Sequence, residues 1–466
     1  DVKMGENFRR KARFVADGHK TKAPAALCHS SAVSRDSVRI ALTIAALNDL
    51  DTLACDVQNA HLTADCREKV WILAGPEFGS EAGQNMLVKK ALCGLKSSGA
   101  AFRAHLAETL DAMGHRPSHA DPDVWLRPAV KPDGTECCEH TLCHVDDVLC
   151  TSHNPEKSMK RIQEDFKLKD DEIAEPDVCL GAALSKMKLE SGKQCWTMSP
   201  EQHVKAAVTN VEEDLAKNGK RPPSKCVTPF SSNCAPWLED TPWLKADGVQ
   251  RFQELIGQLR WAAEIGRVDI LLEVSLLSSH LGMPRVGHLE QAFHMFGCLK
   301  SHPKRKLAFD PAHPSIHENR FQRCDWTEFH GDAKEAISNN VPTRRGNCVS
   351  THCFADANHA GDAETRRSQT GVLLFCNAVP IVWFSKRQNS VEASTFGSEF
   401  TAMKNAVEMT EALRCKLRMF GAPVHQRRPC ANAGLMPGFI LEWLSSFWNC
   451  LASNHAFMPV APPKPL

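Results

Sequence analysis

The stretch CCEHTLCHVDDVLC, residues 137–150, combines four cysteines, two histidines and two adjacent aspartates. Cysteine and histidine are the usual zinc ligands, whereas paired carboxylates suit hard divalent ions such as Mg²⁺. Apolar residues precede and follow Asp146-Asp147, so the pattern predicts two strands joined at the aspartates by a tight hairpin. Aspartate is also common in plain surface turns, and that reading stays open at this point.

The zinc interpretation of this stretch is the weaker one. A structural zinc site needs about four ligands with tetrahedral access. Neighbouring side chains of a strand point to opposite faces, so Cys143 and His144 cannot readily bind one ion. No Cys-x-x-Cys pair occurs in the sequence.

The carboxylates favour a different chemistry. Two divalent ions about 4 Å apart can activate an attacking oxygen and stabilise a leaving one, and Mg²⁺ leaves room for phosphate oxygens among its ligands. A third carboxylate on a neighbouring strand would complete such a site. Asp56 is the candidate, because it ends the apolar run TLAC.

The elements that must position these residues alternate along the first part of the chain. Helical spacing over VSRDSVRIALTIAALNDL and SSGAAFRAHLAETLDAMG, and strand patterns in TLACDV, KVWILAG and DVWLRPAV, predict an α+β fold to about residue 210. A mostly helical region follows over 211–345, in which Phe252, Leu255, Ile256 and Leu259 share one face.

Strands return from about residue 346, and a long helix ends near Gly421. Along that helix seven apolar residues keep helical spacing: Phe396, Phe400, Met403, Val407, Leu413, Leu417 and Phe420. The tail over 422–466 has no clear periodicity.

Composition excludes several classes of protein. Apolar residues (42%) and charged residues (24%) are in the globular range, and the net charge of +1 requires any nucleic-acid surface to be local. No apolar run is long enough to span a membrane, and no secretory signal is present, so we expect an intracellular protein that is not secreted. The chain does not begin with Met, and we expect it to be a fragment of something longer.

The sequence has 20 cysteines, 21 histidines and no tyrosine. A single transition converts a Tyr codon into a Cys or His codon. The missing tyrosines are therefore hypothesised to stand in the sequence as cysteines and histidines.

Several ordered motifs resemble the reverse transcriptase of copia-type LTR retrotransposons. They are KARFVADG, ACDVQNAHLTADCREKVWILAGPEFG, KALCGLKSSGAAF, ADPDVWL, LCHVDDVLC and DVCLGAAL, followed by FQELIGQLRWAAEIGRVDILLEVSLLSSHL and HLEQAFHMFGCLKSHP. The resemblance runs from about residue 9 to residue 420. It implies reverse transcriptase fingers and palm over 1–210 and a helical thumb or connection over 211–345. A truncated ribonuclease H-like α/β domain over 346–421 and a divergent tail over 422–466 would follow.

The resemblance also implies roles for particular residues. Asp56, Asp146 and Asp147 match the catalytic aspartates of the polymerase, which hold two Mg²⁺ or Mn²⁺ ions. Lys11 and Arg13 lie in a fingers motif that could meet the incoming triphosphate. Lysines in helices after residue 250 would hold the backbone of an RNA or DNA template with its primer. The substrates would be deoxynucleoside triphosphates, and the parent polyprotein would carry capsid, protease and integrase parts. The compartment would be the cytoplasm, in a virus-like particle, or the nucleus.

The sequence departs from the family at positions that matter for the reaction. His144, beside the primer end, stands where the family has Tyr, as do Cys93, Cys179 and Cys298. His61 stands where an aromatic residue packs under the nucleotide sugar, and imidazole is smaller and can be charged. We therefore expect weakened discrimination between deoxy- and ribonucleotides, or weak catalysis.

In the ribonuclease H-like segment, Asp356 and Glu399 match the family's metal ligands. No aspartate follows Asp362, so the site lacks a further carboxylate and is expected to be inactive. One alternative for the whole chain is a decayed element fragment that retains only its fold or nucleic-acid binding. A generic nucleotide-binding enzyme has no support, because no Gly-rich loop precedes a helix.

Overall fold

The structure is a computed structural model that describes residues 2–3, 9–10, 14–21, 28–217, 219–221, 223, 226–231, 234–313 and 335–425. The chain divides into two compact units. The first comprises Asp1–Ser37 and Leu50–Glu175, and the second comprises Val38–Asp49 and Pro176–Leu466.

Four helices belong wholly or partly to the first unit: α1 (Arg35–Leu47), α2 (Ala60–Thr63), α3 (Ser98–Ala112) and α4 (Pro155–Asp165). Its strands are β1 (Val2–Lys3), β2 (Arg9–Arg10), β3 (Asp51–Asp56), β4 (Trp71–Leu73), β5 (Asn85–Leu87), β6 (Arg116–Pro117), β7 (Val124–Val130), β8 (Glu136–His144) and β9 (Asp147–Ser152). Short 3₁₀ turns lie at Gly18–Lys20, Pro76–Glu81 and Lys169–Asp171.

A five-stranded antiparallel sheet organises this unit, in the order β3-β9-β8-β7-β6. Residues 137–143 of β8 and 148–152 of β9 are all buried, including the polar residues Glu139 and His140. Phe102 of α3 and Met159 of α4 pack with Cys55 and Val148 in one core. The sheet therefore shares one apolar core with α3 and α4.

The second unit contains a cluster of helices with a core of its own. These are α5 (Glu201–Lys217), α6 (Ala246–Ile265), α7 (Leu271–Ser278) and α8 (Val286–Ser301). The apolar face predicted for α6 is confirmed, because Phe252, Leu255, Ile256 and Leu259 are all fully buried in that core.

Two sheets complete the second unit. Strands β10 (Val178–Cys179), β11 (Ala182–Lys188), β12 (Gln194–Ser199) and β13 (Leu307–Ala308) form one antiparallel sheet in chain order. Strands β14 (Thr351–Asn358), β15 (Gln369–Cys376) and β16 (Val379–Arg387) form the other, and α9 (Thr395–Met419) packs against β14 and β15.

The packing of α9 differs from the sequence prediction. Phe396, Phe400 and Val407 are largely exposed, whereas the buried face of this half of the helix is formed by Ser398, Ala402 and Ala406. Small side chains let the helix approach the sheet closely, so the large apolar residues beside them remain outside. Leu413, Leu417 and Phe420 of the C-terminal half are buried as predicted.

The described residues thus form a mixture of helices and antiparallel sheets, which confirms the α+β class. Within the part of the chain that the structure describes, no helix combines the length and apolarity that crossing a membrane would require. The predicted domain boundary at residue 210 falls inside α5.

Candidate active site

The hairpin predicted at Asp146-Asp147 is present, with its turn one residue earlier than the pattern suggested. His144 and Asp147 are partners in the ladder of β8 and β9, so the turn consists of Val145 and Asp146. Val145 has a φ of 56°. This conformation is rare for a β-branched residue and is what a two-residue turn demands. The turn therefore holds strain beside the two aspartates.

The fold brings Asp56 to the same end of the sheet. Asp56 is the last residue of β3 and lies directly opposite Asp147 of β9. The amide of Val57 donates a hydrogen bond of 2.9 Å to the carbonyl oxygen of Asp146. Opposite residues of neighbouring antiparallel strands have their Cβ atoms about 5 Å apart. All three candidate aspartates therefore lie at one edge, formed by the ends of β3, β8 and β9.

Basic side chains accompany two of these carboxylates. The Nζ atom of Lys169 lies 2.8 Å from Oδ2 of Asp56, and this contact raises the pKa of the lysine. Nδ1 of His144 lies 3.9 Å from Oδ2 of Asp147, and that carboxylate raises the pKa of the imidazole. At 3.9 Å the second contact is too long for a direct hydrogen bond.

Among the described residues, no group of three or more His, Cys, Asp or Glu side chains is arranged so that it could hold a metal ion as it stands. The three aspartates share an edge, yet the Asp56 carboxylate points to Lys169. Binding of divalent ions would therefore need side-chain rearrangement at this edge, while the backbone pairing is already in place.

The end of β8 is fixed from both sides by neighbouring chain segments. The amide of Cys143 donates to the carbonyl oxygen of Asp123 (2.9 Å), and the amide of Val33 donates to the carbonyl oxygen of Cys143 (3.1 Å). The buried carboxylate of Asp123 in turn accepts a 2.6 Å hydrogen bond from Nε of Arg103 on α3. These residues, which sequence reasoning did not single out, position the strand that leads to His144.

His61 lies on α2, the short helix that follows β3. Its Nδ1 atom is 3.5 Å from Sγ of Cys93, and its ring meets that of Phe102 edge-on at 6.3 Å between centroids. Two positions where the family has aromatic side chains, His61 and Cys93, are therefore neighbours in space. Lys11 and Arg13 lie outside the described residues.

Asp356 and Glu399 also come together, in the second unit. Asp356 lies on β14 and Glu399 on the first turns of α9, close enough for each carboxyl group to affect the pKa of the other, and Oε2 of Glu399 accepts a 3.2 Å hydrogen bond from the amide of Ala357. Burial raises the pKa of Asp356, and burial together with the charge of Asp356 raises the pKa of Glu399 to about 7.

The last aspartate of the sequence, Asp362, is engaged elsewhere. It pairs with Arg387 at 2.6 Å and accepts hydrogen bonds from the backbone amides of Glu364 and Thr365. These contacts commit its carboxylate to the loop that joins β14 and β15. Asp362 is thus a structural residue of that loop.

The expectation of lysine-bearing helices after residue 250 is wrong for the helical cluster. Neither α6 nor α7 contains a lysine, and α8 contains only Lys300, which pairs with Glu212 of α5. The basic residues in α6 are arginines, and Arg251 pairs with Asp214. These helices bury an apolar core and pair their charges locally.

Residues 2–186 match the family described as "Reverse transcriptase (RNA-dependent DNA polymerase)". The chain is 24% identical over 441 residues to the "Retrovirus-related Pol polyprotein from transposon RE1" of Arabidopsis thaliana, which covers 92% of this chain and 26% of that protein. It is 23% identical over 403 residues to the corresponding polyprotein from transposon TNT 1-94 of Nicotiana tabacum, covering 84% of this chain and 27% of that protein.

A shorter relative is the "Putative transposon Ty5-1 protein" of Saccharomyces cerevisiae, which is 22% identical over 362 residues, covering 76% of this chain and all of that protein. The chain spans about a quarter of the length of the two polyproteins. These matches confirm the resemblance that the ordered motifs predicted.

Proposed function

We propose that this chain, an RNA-directed DNA polymerase of the copia-type retrotransposon Pol kind by resemblance, extends a primer on an RNA or DNA template with deoxynucleoside triphosphates. The observation that carries the proposal is the pairing of Asp56 with Asp147 across β3 and β9, beside a strained two-residue turn that contains Asp146. Three carboxylates at one strand edge are the donor set that this reaction needs.

The donor set fits divalent ions. Asp56, Asp146 and Asp147 offer only hard oxygen atoms, and the Lys169 ammonium already stands at one of them as a stand-in cation. Two Mg²⁺ or Mn²⁺ ions held by these aspartates would activate the primer hydroxyl and stabilise charge on the transferring phosphate. The residues of the chain supply the rigid backbone that fixes the carboxylates, since β8 and β9 are buried up to the turn.

Primer extension on an RNA template tests the proposal. Asp146→Asn is expected to lower the rate by at least about 100-fold, since even an outer-shell partner of a metal ligand is typically worth about 10- to 100-fold. Asp133→Asn is the matched control, because Asp133 occupies the turn between β7 and β8, where its carboxylate accepts a hydrogen bond from the amide of Thr135. Equal rates in the wild type and Asp146→Asn would reject the assignment.

The nucleotide side of the site is proposed to include Lys11, Arg13 and His61, with His144 near the primer end. His61 contacts Cys93 and Phe102, so a small imidazole fills a place where the family has an aromatic residue. We expect the double substitution His61→Tyr and His144→Tyr to raise the preference for deoxy- over ribonucleotides or the rate of extension. Unchanged incorporation ratios and rates in the double variant would contradict this idea.

The proposed organisation keeps fingers and palm at 1–210, thumb or connection at 211–345, a truncated ribonuclease H-like domain at 346–421 and a divergent tail at 422–466. Asp356 and Glu399 would be the remaining metal ligands of the ribonuclease H-like domain. Because no aspartate follows Asp362 in the sequence and Asp362 itself pairs with Arg387, the further aspartate that the resemblance calls for has no counterpart, and we propose that this domain does not cut RNA.

The alternative function is nucleic-acid binding by a decayed element, without catalysis. It would be favoured by template–primer binding in the complete absence of primer extension. In either case the chain is proposed to act inside the cell, in the cytoplasm or nucleus, as one part of a longer polyprotein with capsid, protease and integrase parts.

A further inference from the structure

The segment that follows α4 runs back along the free edge of β3. The amide of Gln58 donates to the carbonyl oxygen of Lys167 at 2.9 Å, and Val57 pairs with Leu168 in an isolated bridge. Further along, Ala54 and Ala174 exchange two backbone hydrogen bonds. Leu168 is completely buried. The backbone on both sides of Lys169 is therefore anchored to the strand that ends at Asp56.

Lys169 and Lys90 of the first unit pair with acids that are distant in sequence, whereas some other lysines of the chain pair with acids on their own helix. The pairs Lys160–Glu156 and Lys205–Glu201 join residues one helical turn apart, on the same helix. The pair of Lys169 with Asp56 joins residues 113 positions apart. Its geometry is set by the tertiary fold and not by local helix spacing.

The ammonium of Lys169 also lies within the electrostatic field of both opposed aspartates. Its Nζ atom lies 2.8 Å from Oδ2 of Asp56, and Asp56 is the ladder partner of Asp147. Divalent ions bound at this edge would use the same Asp56 carboxylate.

We propose that Lys169 is a positioning residue that holds the Asp56 carboxylate in the metal-free protein and is displaced when a divalent ion binds. The inference rests on the proposed metal site. The bound ammonium prevents the carboxylates from repelling one another, and its release is a cost of metal binding. Lys169 and the ion are therefore competitors for one carboxylate.

Both partners of the pair are partly exposed to solvent, so the competition is modest. An exposed ion pair is worth about 2- to 5-fold in an equilibrium constant. The effect is also expected to decline as salt is raised, because mobile ions screen exposed charges.

Binding of Mn²⁺ to the full chain, followed by the electron paramagnetic resonance signal of the free ion at low ionic strength, tests the inference without an activity assay. Lys169→Met is expected to bind Mn²⁺ about 2- to 5-fold more tightly than the wild type. Lys169→Arg keeps the charge and should bind Mn²⁺ as the wild type does. Lys160→Met removes a more exposed lysine that pairs with Glu156 and should also leave the affinity unchanged.

The variant Asp56→Asn separates this inference from the proposed function. If Asp56→Asn weakens Mn²⁺ binding while Lys169→Met binds no more tightly than the wild type, the metal site stands and the role of Lys169 is overturned. If Mn²⁺ binding does not depend on Asp56, the metal site fails and the inference fails with it. Tighter binding by Lys160→Met equal to that of Lys169→Met would reduce the effect to net charge and would also overturn the assignment.

Discussion

Two pairs of acidic residues in this chain solve the same electrostatic problem in different ways. In the first unit, Asp56 and Asp147 each have a basic neighbour, Lys169 and His144 respectively. In the second unit, Asp356 and Glu399 have each other, and the pKa of both is raised. Basic side chains accompany the first pair, whereas burial and mutual repulsion favour the protonated form of Glu399 in the second.

The difference follows from where the backbone places each pair. Asp56 and Asp147 lie at an edge where a lysine-bearing segment and the hairpin turn come within reach. Asp356 and Glu399 lie between a strand and the close-packed half of a helix, where burial disfavours two charges. A metal ion binding at Asp56 would displace the Lys169 ammonium, whereas a metal ion binding at Asp356 and Glu399 would first require the loss of a proton.

The largest expected contrast between the two regions is catalytic. On the proposed function, the wild-type chain should extend primers but should not cut the RNA of an RNA–DNA hybrid, because no aspartate follows Asp362. Asp356→Asn should leave primer extension unchanged within about 2-fold, because Asp356 belongs to the other unit and is not a proposed polymerase ligand. Cleavage of the hybrid that disappears in Asp356→Asn would show instead that both regions are active.

A second contrast lies between the two halves of α9. Glu399 is near its start, whereas arginines of its C-terminal half pair with Glu335. Glu335 accepts hydrogen bonds from Arg418 and Arg414, which lower its pKa to about 2. Because the folded-state pKa is depressed, the stabilisation is present above the unfolded pKa of about 4.5 and is lost as the pH falls toward 2. Glu335→Gln is expected to lower the free energy of unfolding by about 1–2 kcal/mol at neutral pH.

Urea unfolding at several pH values checks this prediction. The difference between the wild type and Glu335→Gln should shrink below about pH 4.5. Glu411→Gln on the exposed side of α9 serves as the control and should change stability by less than about 0.5 kcal/mol. A Glu335→Gln effect that persists unchanged at low pH would mean that the arginines do not act through the charge of Glu335.

The opposite dependence of stability on pH is expected for Glu399. Its pKa is raised to about 7, so the folded state retains a proton that the unfolded state releases near its ordinary pKa. The folded protein therefore loses stability as the pH rises from about 4.5 through about 7. Glu399→Gln, which keeps the neutral form, should raise the melting temperature by roughly 2–4 °C above pH 7, the equivalent of about 1 kcal/mol, and by nothing at low pH.

The matched control for Glu399→Gln is Glu408→Gln, because Glu408 lies on the same helix and has an exposed side chain that only approaches Lys404. Thermal melts of both variants at about pH 5 and about pH 8 provide the measurement. If Glu399→Gln lowered the melting temperature at the higher pH, the raised pKa of Glu399 would not explain its effect on stability.

Much of the candidate site could be predicted from the sequence because it depends on local patterns. The apolar runs on both sides of Asp146 and Asp147 specify two buried strands, and a short turn must join them. The register that sets Asp56 opposite Asp147 could not be derived in the same way, since pairing between distant strands depends on the whole sheet. Asp56 was a candidate because it ends the apolar run TLAC, and the resemblance to the family supported that choice.

Two features of the structure depend on contacts between residues distant in sequence and could not be predicted from local patterns. The apolar pattern of α9 gave weight to large residues such as Phe396 and Phe400, although close packing on a sheet favours Ser398 and Ala402. Lys169 lies in the polar stretch KLKDDE and has no signal of its own in the sequence. Its role is visible only when the path of residues 167–174 along β3 is known.

The smallest expected effect concerns His144 and returns to the first region. The Asp147 carboxylate raises the pKa of His144, and Asp146 and Asp123 add to this. Asp147→Asn removes the nearest charge, so the pKa of the imidazole should fall, which a titration of its ring resonances by NMR would detect. Asp133→Asn, at the far end of β8, should leave the titration unchanged. If the pKa of His144 were the same in Asp147→Asn and in the wild type, the imidazole would not be a counter-charge of Asp147, and only Lys169 would distinguish the first region from the second.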